Sequence, residues 1–361
     1  MIFFCFSLVF LYSINNIQIA NILYFFYFIK NYIVDEDKLK INFNLSFVLY
    51  CSFVVWVSLS TIAYFVEMQY LDIRFIVKYL FTLQYAVLIM PLKLNEKKFE
   101  VSIYRFSIIL SVMIILLFFY FAIFNREFLI IGMQTRLWAV DFIPGWPNST
   151  PIPLLLGLWL SFRNQFGFIG KIIIYIALIL TFSRGALLGL LLITGFFVYS
   201  FIVRNFKRSW HLLLGSVALM IIIVSIVFQT ELASKLYFHD RADIFRYFML
   251  YFENRPLLGY GGNTFDQLKH IQVSYTPYLD WPHTHNLILE MVLRYGVIGG
   301  LLFTAYLMSV FLKIKNTEKK AMFAILFFLG LFQTFMQEFI YIFFLSYLAS
   351  EYKQVPTMNK S

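Results

Sequence analysis

Apolar runs of membrane-crossing length, separated by short polar connections, occupy most of this chain. A helix needs roughly 20 apolar residues to cross a bilayer, fewer where it is distorted. On that criterion, segments fall near 1–14, 18–30, 44–66, 71–92, 104–124, 151–163, 167–182, 184–203, 210–228, 286–312, 321–333 and 336–350. The pattern predicts an all-α polytopic membrane protein with about 12 transmembrane helices. Segments 1–14, 18–30, 151–163, 321–333 and 336–350 are short, which leaves re-entrant or alternative pairings open. Residues 1–12 are apolar from the start, with neither a basic leader nor a small-residue cleavage site, and read as a first membrane segment. No repeat, low-complexity linker or soluble unit interrupts the pattern, so residues 1–361 read as a single integral membrane domain.

Composition agrees. The 361 residues are 61% hydrophobic and 13% charged, with a mean hydropathy of +0.77. A soluble domain carries about a quarter charged residues. The 45 Phe and 24 Tyr suit lipid-facing surfaces and interfacial belts. In a soluble protein the net charge of +10 would suggest nucleic acid; in this one it fits a topology signal. Cys5 and Cys51 both lie in apolar runs, so no structural disulfide is expected in the polar loops.

Two connections depart from the short-loop rule. Residues 125–150 hold Arg126, Arg136, Trp138, Asp141 and the Pro-Gly-Trp-Pro-Asn run 144–148. Residues 229–285 form the one long polar stretch, between the ninth and tenth segments, and contain His239, His270, His283 and His285. With twelve crossings and a cytoplasmic N-terminus, 18 of the 29 Lys and Arg fall on the cytoplasmic side, the side such residues favour. Both long connections then lie outside the cell membrane. The cytoplasmic set is mostly Lys, 14 of 18. The remainder is mostly Arg: Arg74, Arg126, Arg136, Arg184, Arg241, Arg246, Arg255 and Arg294. Arginine offers a planar, permanently charged fork that grips phosphate. Ligand charge is one reason to place it where topology disfavours cations; pairing with Asp141, Glu231, Asp243 or Glu253 is the other.

Four patterns carry candidate chemistry. Thr181-Phe182-Ser183-Arg184-Gly185 breaks the apolar stretch 167–203 and reads as a tight turn with Arg184 at the outer surface. Arg184 there is either a ligand-facing cation or an interfacial anchor. Arg241 and Arg246 lie five apart, about 140° around a helix, so they need not share a face. Asp243 stands at a spacing that allows an ion pair with Arg246. The apolar residues Ile244, Phe245, Phe248, Met249 and Tyr251 give this stretch an amphipathic character suited to the interface. The run 254–263, Asn-Arg-Pro-Leu-Leu-Gly-Tyr-Gly-Gly-Asn, is turn-rich, and its glycines allow backbone N–H groups to converge on an anion. Lastly, His283-Thr284-His285-Asn286 stands at the start of segment 286–312, which continues with Gly296 and Gly299. Either histidine can titrate near neutral pH and act as a general base. Asn286 can cap the helix, and the glycines, one turn apart, would allow close helix packing. No Asp, Glu or Cys completes a zinc-like site around the two histidines, so no metal or other cofactor is expected.

Together these patterns resemble the O-antigen ligase and polymerase superfamily of bacterial membrane proteins. The resemblance rests on Ser183-Arg184-Gly185, the Arg241/Arg246 stretch, Pro256-Leu257-Leu258-Gly259-Tyr260-Gly261, His285-Asn286-x9-Gly296-x2-Gly299, and the large loop between the ninth and tenth of twelve segments. Arg184 with Leu188, and Arg246 with Leu250, also match an Arg-x3-Leu pattern of the ligases. These motifs span roughly 180–300.

The resemblance implies a metal-independent glycosyltransferase at the outer face of the bacterial cytoplasmic (inner) membrane. Its donor would be an undecaprenyl-diphosphate-linked glycan and its acceptor a hydroxyl on a glycan or lipid. The loop 229–285 would be extracytoplasmic and carry part of the active site. Arg184, Arg241 and Arg246, with His283 and Asn286 nearby, would bind substrate, and His285 would be the catalytic base. Direct displacement implies inversion at the anomeric carbon. A flippase and a chain-length regulator are possible partners; nucleic acid is not. Ligase and repeat-unit polymerase both fit, with the His-Asn pattern favouring the ligase. A transporter of lipid-linked sugars competes from a different class, but it would call for mid-membrane ionisable groups and paired repeats. Lys78, Glu338 and Arg294 are the few candidates for such groups. A non-enzymatic membrane scaffold would leave the arginine-rich outer loop unexplained.

Overall fold

A computed structural model of the chain describes residues 45–68, 96–135, 139, 150–205, 248–261, 286–331 and 347–348. Among them there is no strand. Eight helices are delimited: α1 Leu45–Met68, α2 Glu96–Phe124, α3 Arg126–Thr135, α4 Pro151–Arg163, α5 Phe168–Leu180, α6 Arg184–Asn205, α7 Leu287–Lys313 and α8 Thr317–Gly330. Three contain apolar stretches of membrane-spanning length, Leu45–Glu67, Glu100–Phe124 and Leu287–Lys313. At about 1.5 Å per residue each exceeds a hydrocarbon core of about 30 Å. Helices α4, α5 and much of α6 are apolar but shorter. Side chains on the outward faces are also apolar, among them Ile109, Leu116, Ile123, Leu301 and Leu312. A helix apolar on both its packed and its exposed face belongs in lipid, so the protein is membrane-embedded.

The predicted segments among these residues reappear as helices, with the largest shift at the start of α2, which begins at Glu96 and not near residue 104. The connection 125–150 differs: it opens with helix α3 directly after Asn125. Asn125 accepts from the Phe128 N–H at 3.3 Å, a side-chain cap that starts the new helix.

Helix α1 lies along α7. Tyr50, Phe53, Phe303 and Tyr306 form a buried ring cluster, with centroids 4.8 Å apart for Tyr50–Tyr306 and 5.2 Å for Phe53–Phe303. Helix α2 packs on α4 and α5, where a Cβ on Gly157 would overlap the Ser107 side chain. The Ser107 hydroxyl lies 2.7 Å from the Pro153 carbonyl. Gly189 of α6 abuts both Leu155 of α4 and Leu329 of α8. One apolar core runs through all these contacts.

The two ends of the bundle differ in chemistry. At one end the buried Glu100 carboxylate accepts from Arg163 at 2.5 Å, Asn164 at 2.9 Å and Tyr347 at 2.6 Å. Arg163 also meets Glu318 at 3.5 Å. Lys171, Lys313, Lys315, Lys319 and Lys320 fall at the helix ends and turns around this cluster. The other end gathers the start of α6, the start of α7 and the end of α8. There the basic residues are Arg126, Arg184, Arg255 and Arg294, with no lysine among the described residues. The Lys/Arg contrast read from the sequence is therefore a contrast between the two ends of the bundle.

Candidate functional site

Helix α7 contains a break. At Gly296 the backbone turns to φ 70°, ψ −179°, a conformation open to glycine and to almost nothing else. Breaking a helix where it is buried in the protein leaves carbonyls and N–H groups that water cannot reach, so each must find a partner. The Leu293 carbonyl accepts from the Tyr260 N–H at 3.3 Å and the Arg294 carbonyl from the Gly261 N–H at 2.6 Å. The Tyr295 carbonyl accepts from the Trp56 indole at 2.8 Å. Beyond the break, the Val297 N–H donates to the Pro256 carbonyl at 2.8 Å. The Ser60 hydroxyl donates to Leu258 O at 2.5 Å. Any one of these groups left buried and unpaired would cost about 1–3 kcal/mol.

The partner of the break is therefore the run 255–261, with α1 supplying two side chains. Gly259 and Gly261 take φ of 68° and 76°. A Cβ on Gly259 would overlap the Arg294 carbonyl, and one on Gly296 would overlap the Leu257 carbonyl. Two expectations change here. The N–H groups of Gly259, Tyr260 and Gly261 point to protein carbonyls, on Arg255, Leu293 and Arg294, and not to an anion. Gly296 is a break and not a packing glycine, whereas Gly299 does mark a close approach, to Trp56.

Above the break, α7 starts at Asn286. Its Oδ1 accepts from the N–H groups of Ile288 and Leu289, both at 3.0 Å, while its Nδ2 donates to Leu331 O at 3.1 Å. Asn286 is thus the helix cap that the sequence suggests, and it also ties the start of α7 to the end of α8. The piece between cap and break carries a buried ion pair, Arg294 Nε to Glu290 Oε1 at 2.6 Å. With 3% and 0% of these side chains exposed, the pair is neutralised inside the bundle. Glu290 was not among the carboxylates anticipated for the arginines, although its i,i+4 spacing allows the pair.

Arg184 begins α6. The turn before it places Phe182 at φ 50°, and Ser183 Oγ accepts from Ala186 N at 3.4 Å. Since Gly189 meets Leu329, and the end of α8 meets Asn286, the starts of α6 and α7 share one end of the bundle. The structure brings Arg184 and Asn286 together to that extent. Arg241, Arg246, His283 and His285 lie outside the described residues. Among the described residues no three His, Cys, Asp or Glu side chains group as metal ligands.

Arg255, named in the sequence only within the turn-rich run and among the outer arginines, is held between two rings and a carboxylate. Its guanidinium lies 5.0 Å from the Tyr64 ring centre and 5.4 Å from that of Tyr260, and it pairs with Glu67. Glu67, in the last turn of α1, was not among the carboxylates anticipated for it. Tyr260 Oη donates to Tyr251 O at 2.9 Å. Burial pushes the Tyr260 phenol above its ordinary range, and the nearby Arg255 charge and the Asn254 hydrogen bond offset part of the rise. Trp56, Ser60 and Glu67 also contribute here, and no pattern along the chain points to them, because long-range contacts leave no periodic signature.

Residues 169–304 match the sequence model of the O-antigen ligase family. That range contains the Ser183-Arg184-Gly185 turn, the run 255–261, the Asn286 cap and the Gly296 break. No curated protein matches the chain. Helix α1, which supplies Trp56, Ser60 and Glu67, lies outside the matched range. Over this range, carried in a membrane-embedded helical bundle, the chain is similar to the O-antigen ligase family.

Proposed function

We propose that the protein transfers a glycan from undecaprenyl diphosphate to an acceptor hydroxyl at the outer face of the bacterial cytoplasmic membrane, as an O-antigen ligase. The observation that carries this reading is the interlock of the run 255–261 with the broken helix that Asn286 caps, inside an O-antigen ligase domain. The residue before that cap is His285. In the proposed reaction His285 takes the proton of the acceptor hydroxyl, with His283 as the alternative base. The hydroxyl oxygen forms a bond to the anomeric carbon as the bond from that carbon to the diphosphate oxygen breaks. Lipid diphosphate leaves with the electron pair, and configuration inverts. Arg184, Arg241 and Arg246 stabilise the charge that develops on the leaving group. Charge stabilisation and positioning can carry much of such a rate, because a neutralised diphosphate leaves readily. The loop 229–285 forms the extracytoplasmic wall of the site, between the ninth and tenth of twelve crossings.

A repeat-unit polymerase would share this chemistry and differ in its acceptor. Lipid-linked glycans from a deletion strain, sized by gel and mass spectrometry, separate the two. Long chains stranded on undecaprenyl diphosphate identify a ligase, and single repeat units on that lipid identify a polymerase. An unchanged pool overturns glycan transfer and favours a transporter.

A further inference from the structure

The Arg255 ion pair is built unequally. Arg255 sits on the turn locked into the α7 break, with its N–H bonded to Phe252 O and its carbonyl to the Gly259 N–H, both at 3.1 Å. Its guanidinium rests against the faces of Tyr64 and Tyr260, which belong to two different elements. Cation–π contact of this kind holds the cation without using up its in-plane donors. Only 20% of the Arg255 side chain is exposed, against 60% for Glu67. The cation is thus preorganised by groups that carry no negative charge, while its carboxylate partner stands in solvent at the last turn of a membrane-length helix. Glu67 is the exposed partner and can turn away when displaced, so it gives up its place at small cost. Both elements also present apolar side chains outward: Val66 beside Glu67, Leu257 and Leu258 beside Arg255, and Leu250 one turn earlier. A cation ringed by exposed apolar groups, at the end of a membrane helix, suits an anion that arrives with a hydrocarbon chain.

We propose that Arg255 is a binding residue for the phosphate oxyanion of a lipid, and that Glu67 competes for it, holding its place until the lipid arrives. The phosphate belongs either to the lipid diphosphate of the transfer reaction, in which case the assignment rests on that reading, or to a bilayer headgroup. Apolar flanks on both elements favour a lipid over free phosphate.

The two halves of a merely structural ion pair fail together; a cation and its competitor fail in opposite directions. The test is lipid retention by the purified full-length protein in neutral detergent, followed by native mass spectrometry. The probes are undecaprenyl diphosphate, phosphatidylglycerol and inorganic phosphate. Glu67→Gln is expected to tighten lipid-phosphate binding by up to about fivefold, the factor that an exposed ion pair represents. Arg255→Gln is expected to weaken it at least about tenfold, as loss of a charge-assisted hydrogen bond does. Arg255→Lys, which keeps the charge but not the fork, falls between. Opposite signs with undecaprenyl diphosphate place the transfer donor at Arg255. If only phosphatidylglycerol responds and undecaprenyl diphosphate does not bind the parent protein, the site stands with a bilayer lipid and the donor assignment falls. Equal loss in both variants, no change in either, or inorganic phosphate binding as tightly as the lipids overturns the proposal.

Discussion

The Leu257 carbonyl fills the space that a side chain on residue 296 would occupy. Two motifs some forty residues apart thereby share one backbone packing, and each glycine in them acquires a physical reason. Gly296 needs its positive φ and the absence of a Cβ, and so does Gly259 against the Arg294 carbonyl. Gly296→Ala is expected to destabilise the protein by about 3 kcal/mol or more, combining left-handed strain with direct overlap. Gly167→Ala, where φ is −50° and nothing lies within 4 Å, serves as the control and should be close to neutral. Thermal unfolding followed by size-exclusion chromatography in detergent checks both.

Asn286 acts through both ends of its amide. Asn286→Ala loses the cap and the link to Leu331, and should cost about 1–2 kcal/mol. Asn286→Ser keeps a capping oxygen and should recover about half of that loss. Equal melting temperatures for the two variants would contradict the capping role.

Glu290 and Arg294 form a pair whose single deletion is worse than its joint replacement. Removing either partner strands a buried charge, at about 3–5 kcal/mol. The double variant Glu290→Leu/Arg294→Met should be more stable than either single one. A double-mutant cycle on unfolding midpoints measures the difference, and additive losses would refute the coupling.

Tyr260 should titrate late. Its phenol is held above the ordinary value of about 10, so folding favours the protonated form. That contribution is fully present below the unfolded-state value and is lost as pH rises through the higher folded-state value. Stability should therefore fall above about pH 10, and less steeply in Tyr260→Phe. Ultraviolet difference titration of the two proteins should show one late phenolate missing from the variant. Identical pH profiles would contradict the assignment.

Much of this was legible in the chain because membrane helices announce themselves by length and apolarity. The segments at 44–66, 104–124 and 286–312 became α1, α2 and α7, and the Lys/Arg contrast became a contrast between the ends of the bundle. The Asn286 cap followed from its position before an apolar run. The break at Gly296 was hidden, since a glycine one turn from another glycine reads equally well as a packing contact. Only the positive φ and the Leu257 carbonyl distinguish the two. The run 255–261 suggested an anion cradle for the same reason: composition reports that N–H groups can converge, not what they meet. Trp56, Ser60 and Glu67 were invisible because their partners lie about 190 to 240 residues away, and nothing periodic links them. Arg241, Arg246, His283 and His285 remain where the sequence reading put them, as proposals tied to the loop 229–285.

The most direct test of the transfer site is glycan transfer in vitro by the purified protein and its His285→Ala variant, with undecaprenyl-diphosphate-linked glycan as donor. The variant should bind the donor as the parent does and lose transfer by at least about a hundredfold, as expected on removing a general base. Parent-level transfer by the variant would contradict the assignment of His285, and absence of transfer by the parent with every glycan acceptor supplied would contradict the proposed function itself.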